Sequence, residues 1–258
     1  MGRIIAVANQ KGGVGKTTTV VNLAACFGAA EQPTLLVDMD PQGNASTGVG
    51  ISRERLGPSI YEVLLGQAKA GEAIEGTEVP ALKVLPSGPG LLGAEVELVT
   101  EEGREWRLKE ALAELRGDFT YTVIDCPPSL GLLTLNALNA ADSVLIPLQC
   151  EYYALEGLSQ LLVTIRLIRR RYNPALQIEG VVLTMYDPRP NLSRQVEADI
   201  RKNFPGRVFR TVVPRSIRLS EAPSFGKPIL LSASRSAGAR AYLSLAREVI
   251  DGSTAGPR

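Results

Sequence analysis

An open, doubly wound α/β sheet of about seven or eight mostly parallel strands, with helices on both faces, is the fold that this 258-residue sequence predicts. Short runs rich in Val, Ile and Leu, such as RIIAVAN at 3–9, are continuous rather than alternating, as strands buried on both faces are. They end in small or polar residues and give way to longer segments with apolar residues at threes and fours. That alternation of strand and helix is the signature of a parallel sheet covered by its crossovers.

Taken in order, the strands fall near 3–9, 34–39, 82–86, 121–125, 143–148, 178–184 and 208–212, and the helices near 16–30, 104–116, 131–140, 154–172, 191–203 and 237–250. The first strand leads through QKGGVGKTT into the helical stretch TVVNLAACFGAA. In 154–172 the residues Leu155, Leu158, Leu161, Leu162, Ile165 and Ile168 make one apolar stripe, with Arg166, Arg169 and Arg170 elsewhere on the turn. Residues 50–100 have scattered Gly and Pro and weak periodicity. The chain reads as one domain over 1–250 with a flexible tail at 251–258, no internal repeat and no long linker.

Composition narrows the chemistry. There is no histidine, which removes imidazole bases, Ser-His-Asp and Cys-His catalysis and histidine metal sites. Three separated cysteines give neither a disulfide framework nor a zinc site. No apolar run reaches bilayer length and the first residues enter a strand pattern directly, so a cytoplasmic protein is expected. Net charge is +1, but residues 51–118 carry thirteen acidic and eight basic side chains, whereas 160–220 carry twelve basic and four acidic. The second region is the candidate surface for a polyanion.

The strand, glycine-rich turn and helix at 3–30 are the context in which a phosphate loop is credible. Gly12, Gly13 and Gly15, with Val14 between them, let backbone N–H groups converge on phosphate oxygens, and the helix N-terminus adds its positive end. Lys16 supplies a cation for the β and γ phosphates, Thr17 a hydroxyl for Mg2+, and Thr18 a donor for the α phosphate. Gln10 stands where the usual motif has glycine, and a second lysine, Lys11, lies inside the loop. Asp40 closes the strand-like TLLVDM and Asp125 closes YTVID, so both carboxylates emerge at strand ends where open α/β sheets bind ligands. Asp38, two residues before Asp40, is on the same face and is open to either a metal-shell or a structural hydrogen-bonding role.

KGGVGKTT resembles the signature of the ParA/MinD family of deviant Walker A ATPases, within the P-loop NTPases. VDMDPQGNAS at 37–46, VIDCPPSLG at 123–131 and VPRSIRLSEAPSFGKPI at 213–229 extend the resemblance across most of the chain, and it is nearest to ParA-type chromosome-partitioning ATPases. The resemblance implies ATP and Mg2+ as ligands and slow hydrolysis. It implies an ATP-sandwich homodimer in which Lys11 reaches the partner subunit's nucleotide. Lys11, Lys16 and Asp40 then become the catalytic set, with Asp40 orienting water and a further candidate for the metal. Asp125 is to hold the metal through water, and Pro214 and Ser216 are to lie beside the adenine. Arg189 and Arg218 match arginines that bind DNA without sequence preference, out of eight basic residues between 189 and 218. A ParB-type centromere-binding partner, a nucleoid location and no membrane are also implied. The competing classes are a MinD-like membrane-surface ATPase, which needs a basic amphipathic C-terminal helix, and a ligase of dethiobiotin-synthetase type.

Overall fold

The structure, a computed structural model, describes residues 2–54, 57–151 and 154–252. Eight strands, β1 (Arg3–Val7), β2 (Thr34–Asp38), β3 (Glu75–Gly76), β4 (Leu82–Leu85), β5 (Tyr121–Asp125), β6 (Ser143–Gln149), β7 (Gln177–Tyr186) and β8 (Val208–Pro214), form one sheet in the order β3-β4-β2-β5-β1-β6-β7-β8. Every pairing is parallel except β3 with β4. The seven expected strands are all present, and the eighth, β3, is a two-residue strand too short for any periodicity to announce.

The alternation of strand side chains builds two cores. Ile4, Ala6, Leu35 and Val37 face helices Leu132–Ala140 and Ala154–Arg171, while Ile5, Val7 and Leu36 face helices Lys16–Ala29 and Ala237–Ile250. Both faces are dry, which is why the strands read as continuous apolar runs. All six expected helices form, within three residues of the anticipated ends. Those missed are single turns or little more: Asn44–Gly48, Ile60–Leu64, Ala70–Ala73, Leu91–Glu97, Ile217–Glu221 and Ile229–Ser232. One of them carries a signal in the sequence, a capping box in which Ser59 caps Ile60–Leu64 and the Glu62 carboxylate accepts the Ser59 N–H at 2.7 Å.

The β8 edge is protected by the buried Glu248, which accepts the outward N–H groups of Arg210 at 2.9 Å and Thr211 at 2.8 Å. Of the expected tail 251–258, residues 253–258 lie outside the described residues.

Candidate nucleotide and metal site

The C-terminal ends of β1, β2 and β5 converge on the loop between β1 and helix Lys16–Ala29. Gly13 and Gly15 adopt φ of 75° and 86°, the left-handed region that side chains disfavour. Gly12 is different: its φ is not positive and a Cβ there would meet nothing within 4 Å. Nothing inside the described protomer therefore demands glycine at 12. The helix begins at Lys16 with no side-chain cap and no acid in its first turn, so its leading N–H groups and dipole face the loop. Val14 is buried, and the Thr184 hydroxyl donates to its carbonyl at 2.7 Å, holding the loop against β7.

The two lysines of the loop have separate surroundings. Lys16 is buried and its Nζ donates to the Lys11 carbonyl at 3.2 Å; burial lowers its pKa, against the pull of Asp125, Cys126 and Asp40. Lys11 is half exposed and forms an ion pair with Glu151, a residue that no sequence motif marks. Asn9 ties the arrangement down, donating to the Pro147 carbonyl at 2.7 Å and accepting the Lys11 N–H at 3.0 Å.

Asp38 and Asp125 sit opposite each other in the β2–β5 register, both fully buried, with Asp40 close by. The Ser46 N–H and hydroxyl donate to Asp38 Oδ2 at 2.7 and 2.6 Å, and the Asp40 N–H to Oδ1 at 3.2 Å. Burial pushes Asp38 up to about 6 against those hydrogen bonds. Of the two roles open to it, hydrogen bonding that pins the 38–46 turn is the one its geometry supports. Neither oxygen of Asp125 makes a well-formed hydrogen bond among the described residues, the Thr17 hydroxyl being the donor that comes near it. Burial and then Asp38 push its pKa well up, while Thr17 and Lys16 draw it back. A buried carboxylate with two orphaned oxygens beside a threonine hydroxyl is a donor set for a hard divalent cation, so the residues present fit Mg2+. Asp40 accepts the Gln42 N–H on Oδ1 at 2.9 Å, and its Oδ2 receives no hydrogen bond among the described residues.

A cavity of 150 Å3 opens beside Gly15 and Thr18, walled by Thr184 and Met185 from β7, by Pro214 at the end of β8 and by Arg215 and Ser216 after it. Pro214 and Ser216 thus lie in one pocket with the phosphate loop. Met185 has φ of 49°, a left-handed conformation costing a non-glycine residue on the order of 1–2 kcal/mol. Tyr242 closes the floor, fully buried with its hydroxyl 3.2 Å from that of Thr19. Thr184 and Met185 escape sequence reasoning because they meet the loop only through the β6–β7–β8 stacking.

Arg189 lies three residues beyond the end of β7 and Arg218 four beyond β8, at the same end of the sheet as the phosphate loop, where Tyr186 and Pro214 are in register. Both are exposed and both hold a local carboxylate. Arg189 forks onto Asp187, with Nη2 2.6 Å from Oδ2, and keeps that carboxyl low at about 2; Arg218 reaches Glu221 at 3.2 Å.

A family model described as an AAA domain matches residues 2–178. The chain is 57% identical over 250 residues to the chromosome partitioning protein ParA of Myxococcus xanthus, covering 97% of this chain and 88% of that protein. It is 56% identical over 249 residues to the sporulation initiation inhibitor protein Soj of Bacillus subtilis, covering 96% and 98%. Among solved structures, cobyrinic acid a,c-diamide synthase from Mycobacterium smegmatis with bound ADP and magnesium superposes with a TM-score of 0.86 at 41% identity, over 97% of this chain and 94% of that one.

Proposed function

The chain belongs to the ParA/MinD family of deviant Walker A ATPases, enzymes that hydrolyse ATP with Mg2+, and from that premise we propose that it is a chromosome-partitioning ATPase whose ATP-bound dimer holds DNA. The observation that carries the site assignment is Asp125: a fully buried carboxylate that the Thr17 hydroxyl approaches but no backbone donor satisfies, under a glycine loop and beside a buried lysine. Such a group is costly to hold ionised unless a cation completes it.

In this reading the loop amides of Gly12 to Thr18, with Lys16, bind the phosphates, and Pro214 and Ser216 border the base. Thr17 and Asp125 would hold Mg2+, Asp125 through water, with Asp40 as a further candidate ligand. When bound, Mg2+ would supply charge that neutralises the phosphates. Asp40, anchored through Oδ1, uses Oδ2 to orient the water whose oxygen attacks the γ phosphorus as its bond to the ADP oxygen breaks. Without histidine, catalysis rests on positioning and fixed charge.

Lys11 exchanges Glu151 for the triphosphate of a second protomer. The open space at Gly12 supports this, because a backbone approach from outside is what would require glycine there. Pairing two protomers doubles the arginine surface around Arg189 and Arg218 and makes retention on DNA depend on ATP. A ParB-type partner that stimulates hydrolysis and a cytoplasmic, nucleoid-bound location complete the cycle.

The membrane-surface alternative finds little support, because Tyr242, Leu245 and Val249 of helix Ala237–Ile250 are buried in the core. A ligase reading has the diamide synthase likeness behind it, and it requires ATP turnover to depend on an added carboxylic acid substrate. The deciding experiment is retention on non-specific duplex DNA at low salt with ATP, ADP or no nucleotide, alongside size-exclusion chromatography. Dimers and DNA retention specific to ATP are expected, and equal retention with ATP and ADP would refute the reading.

A further inference from the structure

Arg189 is carried by a short, stiff loop. Asp187-Pro188-Arg189-Pro190 joins β7 to helix Asn191–Asn203, and each proline biases the residue before it, Asp187 or Arg189, toward extended backbone. Within the loop the Asp187 carboxylate takes a whole edge of the guanidinium. Its Oδ1 accepts the Arg189 N–H at 3.1 Å and Nε at 2.9 Å, and its Oδ2 accepts Nη2 at 2.6 Å.

A planar fork of N–H donors fits a carboxylate and a phosphate alike, so Asp187 occupies donors that a phosphate would otherwise take. The rest of Arg189 is open to solvent. Arg218 is held differently, through one bond from Nη1 to Glu221 at 3.2 Å, which leaves most of its donors unengaged.

Asp187 also has a second cation within reach. Tyr186 and Pro214 are in register, and the Arg215 N–H donates to the Tyr186 carbonyl at 3.1 Å, so Asp187 and Arg215 leave the sheet side by side. Arg215 is exposed and makes no ion pair among the described residues. Arg189 first, and Arg215 after it, hold the Asp187 carboxyl low at about 2. An exposed ion pair is weak, so an aspartate between two arginines changes partner at little cost.

We propose, resting on the reading of Arg189 as a DNA contact, that Asp187 is an internal competitor for DNA phosphate: it holds Arg189 in the free protomer and passes to Arg215 when a duplex takes Arg189. The competition weakens the hold of each protomer on DNA below what its arginines alone would give. Retention then needs two protomers on one duplex, because their contributions multiply. Arg215 neutralises the displaced carboxylate, which would otherwise be left facing a phosphate of the same charge.

The test is fluorescence anisotropy of a labelled duplex of arbitrary sequence at low salt, with the full chain and either ADP or ATP. Asp187→Asn keeps a side-chain oxygen to accept the Arg189 N–H, so the loop is preserved while the charge is lost. With ADP it is expected to bind about threefold more tightly than the parent, the weight of one exposed ion pair. With ATP the gain should be about tenfold, as two protomers share a duplex. The gain should vanish in an Arg189→Ala background. Arg215→Gln, which removes the second partner, should weaken parental binding about threefold and leave Asp187→Asn unaffected. Asp187→Asn binding no more tightly than a parent that does bind overturns the competitor, and weaker binding does so by showing that Asp187 positions Arg189 for phosphate. A gain that survives Arg189→Ala also overturns it, as plain removal of negative charge. A loss from Arg215→Gln that persists in Asp187→Asn overturns the handover, since Arg215 would then touch phosphate itself. Equal parental binding with ADP and ATP, with the Asp187→Asn gain intact, refutes only the ATP-gated reading.

Discussion

Beneath the phosphate loop the charges are few and buried; along the β7–β8 end of the sheet they are many and exposed. Lys16, Asp38, Asp40 and Asp125 are each under a tenth exposed, whereas Arg189 and Arg218 are 87% and 70% exposed and each rests on a neighbouring carboxylate. A buried charge is costly unless its counterpart arrives, so each residue of the first region should have a large and distinct effect of its own. An exposed arginine contributes little alone and acts through number, which makes the second region additive and sensitive to salt.

The largest effect expected from breaking that contrast is Lys16→Ala. Removing one member of a buried charge set should cost about 2–5 kcal/mol of ATP affinity, read by isothermal calorimetry. Asp40→Ala should bind ATP as the parent does and hydrolyse it about a hundredfold more slowly, leaving a dimer that persists on DNA; parental turnover would show that Asp40 does not orient the water. Gly12→Val should keep nucleotide binding and lose ATP-dependent dimers on a sizing column, because the side chain has room in the protomer and none against a second one. Within the buried region, Asp38 and Asp125 sharpen the comparison. Ser46→Ala should lower stability by about 1–3 kcal/mol in urea unfolding by leaving Asp38 under-bonded, whereas Asp125→Asn should leave stability near parental and weaken only Mg2+-dependent nucleotide binding. The smallest effects belong to the exposed end. Arg189→Ala or Arg218→Ala should each reduce the slope of log affinity for DNA against log salt by about one, and leave hydrolysis without DNA unchanged.

The difference between the regions is also a difference in what a sequence displays. Strands buried on both faces announce themselves as continuous apolar runs, and seven were placed that way; helices of fourteen and eighteen residues, Lys16–Ala29 and Ala154–Arg171, have room to show a repeat. Ile60–Leu64 and Ala70–Ala73, of five and four residues, complete barely one turn and do not. Between residues 50 and 100 the chain is built largely of such pieces, which is why no periodicity points to them.

For the candidate site, the sequence by itself determined the glycine loop and the presence of aspartates at strand ends, because a strand, a turn and a helix are contiguous and their chemistry is local. Only the tertiary structure decided that Asp38 is satisfied by Ser46 while Asp125 is not, that Glu151 holds Lys11, and that Met185 shares a pocket with Pro214 and Ser216. Each of those relations joins separate elements, and in several cases strands distant in sequence. Register and burial, which no local pattern contains, turn one aspartate into a hydrogen-bonded brace and leave the other with its oxygens open.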